Sequence, residues 1–228
     1  DSSSLEALGT DSANGVTAVE FANSYSSLST ANSTDFDFGT NDFTVEFFIN
    51  PDTENYINNP VVVGSEDGWY VQFKNNYELL EFSSGSVSVQ ATLSQSIRDG
   101  ALHHIAVTRY SNNLKLYVDG VLVKTEVYSA AIALQNDLHI GNYKGNALQT
   151  LGLISNVRVC KGHAVYTENF TVPSRPLAAH PETVLLACQS ATDATAEATG
   201  KTLDASTGAV VFDGSDLLTV PSFTTAPQ

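Results

Sequence analysis

Apolar and polar residues alternate along most of this chain. That is the two-residue period of a strand with one buried face, not the 3.6-residue period of a helix. Phe43, Val45, Phe47 and Ile49 share a face in one such stretch, and Trp69, Val71 and Phe73 in the next. Val87, Val89, Ala91 and Leu93 repeat the pattern, as do Ile105 and Val107. Leu114-Lys115-Leu116-Tyr117-Val118 runs into Asp119-Gly120 and out through Val121-Leu122-Val123. An Asp-Gly pair between alternating runs specifies a tight hairpin, because both turn positions take positive φ. Further strands are predicted at 138–140, 153–159, 184–188 and 210–220. No stretch has the apolar spacing of a helix longer than about two turns, and the best helical turn spans 163–166.

Strands this frequent, with turn residues between them, predict one all-β domain over residues 1–228. Its expected form is a two-sheet antiparallel jelly-roll sandwich. Residues 1–14 read as an N-terminal extension. By composition 50–60, 171–181 and 190–208 are loops. The last is rich in Ala and Thr, and is expected to be mobile or to order only against a neighbour. Residues 18–24 and 210–215 are alike, either as edge neighbours in one sandwich or as the opening of another module.

Hydrophobic residues make up 42% of the chain, enough for a core between two sheets. Only 15% is charged, which leaves too little Glu, Lys and Arg for long exposed helices. The net charge of −15, from 25 acidic and 10 basic residues, removes the basic footprint that nucleic acid and anionic membranes require. An acidic surface keeps the protein soluble or recruits cations. The sequence contains neither a long apolar span nor a signal-peptide pattern, so no membrane insertion is predicted. Two cysteines, Cys160 and Cys188, are too few for a disulfide framework or a cysteine-rich zinc site, and one bridge between them stays open. The chain lacks methionine, which suggests a processed product or a piece of something longer.

Four phrases occur in order: DFTVEFFINP from Asp42, LHHIAVTRYSNNLKLYVDGVLV from Leu102, LHIGNY from Leu138, and GLISNVRVCKGHAVYTENFTVPSRPL from Gly152. Together they resemble the laminin-G/pentraxin-like branch of the concanavalin A-like lectin/glucanase superfamily. The last phrase, followed by LLACQS from Leu185, is similar to versions of that domain in virion proteins of tailed phages, marine ones in particular. The resemblance implies a virion or extracellular location. It also implies other virion subunits or a homo-oligomer as partners, and host-surface polysaccharide as a ligand. Glu46, Asp119-Gly120, Ile154, Val157 and Arg158 fall on motif positions that specify the fold rather than catalyse.

Glycoside hydrolases need two carboxylates about 5–5.5 Å apart, or a wider pair for inversion. On a strand such a pair is separated by an even number of residues, and no Glu-x-Asp-x-x-Glu phrase is present; Glu78 and Glu81 face opposite ways. The chain is therefore read as a non-enzyme. His103 and His104 are adjacent on a strand and cannot both ligate one ion without a bulge. Alternation puts His103 with Ile105 and Val107, and His104 on the other face. Leu102 stands where the resembled family usually carries Trp.

Calcium takes about six to eight oxygen ligands. The resemblance implies one half-site at Glu66-Asp67 and another at 141–144, but Gly-Asn-Tyr-Lys there has no carboxylate and Lys144 repels a cation. The double-calcium site of pentraxins is expected to be missing. One calcium on Glu66, Asp67 and backbone oxygens stays open, and no other cofactor is implied. Asp35, Asp37 and Asp42 read as a solvated turn.

Sugar recognition calls for aromatic faces beside amides. Asn55, Tyr56 and Asn58 with Asn59 form one such cluster, Asn75, Asn76 and Tyr77 a second, and Asn142 with Tyr143 a third. Trp69 alternates with core positions and is expected to be buried. The sequons at Asn32 and Asn169 are common by chance. Three functions follow: a virion-surface module that recognises host glycan or surface protein, a purely structural capsid or tail decoration, and, most remotely, a glycoside hydrolase.

Overall fold

The computed structural model describes residues 7–8, 17–22, 26–55, 57–65, 67–85, 87–142, 149–190 and 192–206. The strands are β1 (Ala7–Leu8), β2 (Ala18–Phe21), β3 (Leu28–Thr30), β4 (Phe43–Pro51), β5 (Val61–Gly64), β6 (Trp69–Lys74), β7 (Leu79–Ser84) and β8 (Val87–Thr92). They continue as β9 (His103–Tyr110), β10 (Asn113–Val118), β11 (Val121–Val127), β12 (Leu138–Ile140), β13 (Gly152–Lys161), β14 (Thr183–Ala187) and β15 (Asp204–Ala205). One sheet runs β1-β2-β13-β4-β9-β10-β11, with β14 also on β13, and the other runs β15-β3-β12-β5-β6-β7-β8. The strand pairs are antiparallel, so the expected two-sheet antiparallel sandwich is the fold. The strands predicted at 138–140, 153–159 and 184–188 are β12, β13 and β14, and 210–220 lies outside the described residues. Part of the expected N-terminal extension joins the sheet, since Ala7 pairs with Val19.

The inward faces meet in one core that includes Phe21, Phe43, Val45, Phe47, Trp69 and Phe82. Trp69 is fully buried, as its alternation predicts, and its Nε1 donates to the Phe36 carbonyl at 2.9 Å. Phe38 stacks on Phe43 with centroids 4.3 Å apart and on Trp69 at 5.0 Å. Asp119 and Gly120 take φ of 50° and 77°, and Val118 pairs with Val121 across the predicted hairpin.

Along β4, β9 and β13 the first sheet is buried on both faces. Its outer face is crossed by the 162–181 segment, which explains why β4, β9 and β13 are buried almost end to end. Thr44 Oγ1 donates to the His163 carbonyl at 3.0 Å and accepts from Val165 N at 2.8 Å. Thr108 Oγ1 donates to the Tyr166 carbonyl at 3.0 Å, and Phe170 N to the Gly120 carbonyl at 2.9 Å. Tyr166 and Phe170 stack with centroids 3.6 Å apart. The helical turn expected at 163–166 does not form. The backbone there bonds to strand side chains instead of to itself, and the described helix is a single 3-10 turn at Thr34–Phe36.

The 190–208 segment also departs from expectation over its described part. Ala198 N donates to Leu186 O at 3.0 Å, Leu186 N donates to Glu197 at 2.9 Å, and β15 pairs with β3. Ala194 is fully buried and Leu203 nearly so. Two small apolar contacts and local carboxylate bonds hold the described part of this segment to its own chain.

A Cβ on Gly120 would overlap the Phe170 carbonyl, and its φ is positive. Gly120→Ala is therefore expected to cost about 2 kcal/mol or more, since turn strain and loss of the strap contact add. Thermal unfolding measures it; a midpoint within error of the parent would contradict this account of the strap.

Candidate functional site

The loops carrying the predicted sugar contacts gather at one end of the sandwich. The antiparallel registers put the ends of β4, β6, β8 and β12 and the starts of β5, β7, β9 and β13 at that end. Arg98 ties them together: its Nε donates to the Asp52 carbonyl and its NH1 to Asn76 Oδ1 at 3.1 Å. Asn50 Nδ2 donates to Gly100 O at 3.2 Å, and Ser96 Oγ to Asn76 O at 2.5 Å. The 141–151 loop joins through Gly141 N to Val62 O at 2.8 Å, Thr150 Oγ1 to Val61 O at 3.0 Å and Asp52 N to Leu151 O at 3.0 Å.

Asn55, Asn58, Asn75 and Asn76 are exposed on this end. Asp52 shapes the first loop, accepting at Oδ1 from the amides of Glu54 at 2.7 Å and Asn55 at 2.9 Å. Asn75, Asn76 and Tyr77 all take positive φ, between 51° and 63°, which Asn tolerates and which turns the chain sharply from β6 into β7. Two of the predicted contacts are corrected by burial. Tyr77 is 3% exposed with its ring 5.0 Å from that of Phe73, and Asn142 is fully buried, so neither offers an open sugar platform. The left-handed run rotates Tyr77 into the core. Tyr56 and Tyr143 lie outside the described residues.

Of the predicted metal residues, Asp67 sits at the opposite end. Asp67 lies between β5 and β6 and accepts from Asn136 Nδ2 at 2.8 Å, while Glu66 is outside the described residues. The four residues of β5 separate that turn from the 141–142 turn, a span of roughly 13 Å at about 3.3 Å per residue. Asp67 therefore stands apart from the described start of the other half-site, Gly141 and Asn142. Among the described residues no group of three His, Cys, Asp or Glu side chains could hold a metal.

His103 and His104 take different partners on opposite faces. His103 Nδ1 lies 2.7 Å from Asp119 Oδ2 and its Nε2 3.0 Å from Asp99 Oδ1, clamping the 93–102 loop to the hairpin turn. Burial works against the imidazolium, but the two carboxylates outweigh it and raise the His103 pKa. His104 Nε2 lies 3.1 Å from Glu46 Oε2 beneath the strap. Glu46 also accepts from Arg158 Nε at 2.8 Å and NH2 at 2.6 Å, and from Tyr166 OH at 2.9 Å. Burial alone would raise the Glu46 pKa; His104 and Arg158 overcome it and hold it below the ordinary carboxylate range.

The two buried acids among the described residues stand in different sheets. Glu46 is on β4, whereas Glu81 is on β7 beside Lys74 Nζ at 2.5 Å and Gln90 Nε2 at 3.0 Å. Each is committed to a cation, and they form no acid–base pair. Cys160 and Cys188 are free and buried, and burial pushes the Cys188 thiol up to about 12, away from nucleophilic use.

Residues 22–164 match the family Laminin_G_3, the concanavalin A-like lectin/glucanases superfamily. The chain belongs to that family. Among curated proteins none matches the chain. The fold is similar to that of a candidate carbohydrate-binding protein from Bacteroides ovatus, at 18% identity and a TM-score of 0.61, over 86% of this chain and 61% of that one. The chain thus spans only about three fifths of that protein's length. A heptameric SAP-like pentraxin from Limulus polyphemus aligns at 13% identity and TM-score 0.42, over 60% of this chain and 77% of its own. The CBM40 of a Ruminococcus gnavus IT-sialidase, bound to α2,3-sialyllactose, aligns at 14% and 0.45, over 69% and 92%. At these identities the likeness is one of fold.

Sequence reading missed Arg98, Asp52 and the His103 clamp. Arg98 reaches partners 46 and 22 residues away, and no local pattern encodes such a reach.

Two outcomes test this geometry. Glu46→Ala leaves Arg158 buried without its carboxylate and should cost about 3–5 kcal/mol in urea unfolding. A raised folded pKa means that His103 contributes stability fully below its ordinary 6.5 and loses it as pH rises through the higher folded value. The stability gap between the parent and His103→Gln should therefore be largest below about pH 6.5 and shrink as the pH rises above it. A gap that widens over that range would refute the clamp.

Proposed function

We propose that the chain is a non-catalytic glycan-binding module whose contact surface is the loop end built on Asp52, Asn55, Asn58, Asn75, Asn76 and Arg98. The observation that carries this reading is the Arg98 fork, which fixes two Asn-bearing loops in one rigid rim. Exposed amides held by a braced backbone present both donors and acceptors to sugar hydroxyls at little ordering cost. Lys74 and Gln90, both bonded to the buried Glu81, continue the polar surface along the second sheet from the same end. Family membership supports the reading, as does the likeness in fold to the Bacteroides ovatus protein. The net charge of −15 argues for neutral or cationic glycans over anionic ones.

The setting we propose is a virion surface, with host-surface polysaccharide or protein as the target and other virion subunits or further copies of the chain as neighbours. The phrases from Gly152 and Leu185 support it. The decoration-only alternative drew on 190–208 as a partner-ordered segment, and that support weakens because Glu197 and Ser206 tie the segment to its own chain.

A glycan array tests the module. Specific hits should appear, and should be the same with calcium and with a chelator, because Asp67 lies away from the rim. Asn55→Ala, Asn76→Ala and Arg98→Ala should each weaken the best hit about 3–10-fold. No reducing ends should be released above a denatured control. A blank array, or hits indifferent to all three substitutions, would overturn the assignment.

A further inference from the structure

We propose that two copies of this chain join edge to edge along β11, about a two-fold axis through Thr125. Among the described strands β11 closes one sheet, pairing with β10 on one side only. It is also the most exposed strand of that sheet, with Val121 at 54% and Val127 at 74%. Tyr110, 46% exposed, extends the surface, because it and Val127 both pair with Asn113.

What names the occupant is the order of residues along the strand. Lys124, Thr125 and Glu126 read as an inverted repeat of charge about Thr125, and Lys124 Nζ lies 3.1 Å from Glu126 Oε2 on the same side of the strand. An antiparallel second copy centred on Thr125 places Lys124 opposite Glu126 and Glu126 opposite Lys124, so both charge pairs are satisfied at once. Centring on Lys124 or on Glu126 instead sets like charges directly opposite, which is destabilising. Pairs that face each other across a ladder must share a sheet face, so registers one residue out of step are excluded. Among the registers that keep the faces in step, only the one centred on Thr125 pairs both charges, and it requires an identical strand. The other sheet's edge, β8, exposes only Ser88, Gln90, Thr92 and Val87 and carries no such pattern.

The backbone agrees. Tyr128 N donates to Asn112 O at 2.7 Å, so alternation turns the Lys124 and Glu126 amides toward β10 and those of Thr125 and Val127 outward. Thr125 can then exchange both backbone bonds with its own copy. The irregularity in the β10–β11 register leaves Val123 without a partner, and Asn169 Oδ1 caps Leu122 N at 2.8 Å, so the shared ladder ends before the hairpin. A lone edge lysine would discourage pairing; Glu126 two residues on converts it to a matched charge. The axis lies normal to the sheet, so the two loop ends point in opposite directions, and the proposal stands independently of what those ends bind.

Sedimentation across a concentration series, at about 0.15 M salt to screen the general repulsion between acidic copies, reads the equilibrium. The parent should show reversible monomer and dimer. Lys124→Glu and Glu126→Lys should each weaken the dimer roughly tenfold or more, and the double exchange should restore it. The two single changes shift net charge in opposite directions, so overall repulsion cannot explain both. Thr125→Pro removes an outward amide without touching the β10 ladder and should abolish the dimer while leaving the unfolding midpoint near the parent's. Thr125→Cys should cross-link two copies on oxidation, since paired Cα atoms about 5.5 Å apart suit a disulfide, and Cys160 and Cys188 are buried. A chain monomeric throughout, a dimer unaffected by either reversal, or Thr125→Cys that stays uncrosslinked would each overturn the proposal.

Discussion

The Glu46 carboxylate is the interaction on which the rest of this structure depends. It is fully buried on the outer face of β4, and it stays ionised because Arg158, His104 and Tyr166 converge on it from β13, β9 and the 162–181 strap. An isolated charge at that depth would cost several kcal/mol, so the three partners form an obligatory set. Their geometry locks three strands and one irregular segment into a single register. The apolar seal around it, from Phe48, Leu177 and Leu186, keeps the dielectric low and the bonds strong.

Sealing one sheet has a consequence for where ligands can be met. The strap occupies the outer face of the first sheet, so recognition is left to the loop end, the second sheet and the edges. The loop end is braced by side chains, not by regular ladders. Arg98 supports two loops, Asp52 shapes one of them, and His103 joins the 93–102 loop to the hairpin. Charged groups bound to carbonyls and amides order such loops beforehand, which lowers the entropy lost on binding.

Arg109 plays the matching part at the far end. It is fully buried and donates to the carbonyls of Gly39 at 2.7 Å, Ala130 at 3.0 Å and Asn41, tying the 39–41 turn to the segment that follows β11. Guanidinium groups suit this task because their five donors fan out in one plane. Each end of the sandwich is therefore held by an arginine that binds oxygens of remote loops, and the middle by one that binds Glu46.

The sequence by itself determined the β architecture, because the two-residue period of Phe43 to Ile49 or Trp69 to Phe73 leaves only one face to bury. Asp119-Gly120 announced its hairpin through the positive φ values that such a pair admits cheaply, and the opposite facing of His103 and His104 followed from alternation. Tertiary structure decided the rest. Tyr77 and Asn142 look like surface polar residues in a string of letters, but a left-handed run and a packed turn put them inside. The 163–166 segment has the residues of a helical turn, yet Thr44 and Thr108 compete successfully for its backbone. Arg98 reveals nothing locally of its role, since its partners are remote in the chain. Period and turn chemistry are local properties of a sequence. Burial and convergence are set by which segments meet.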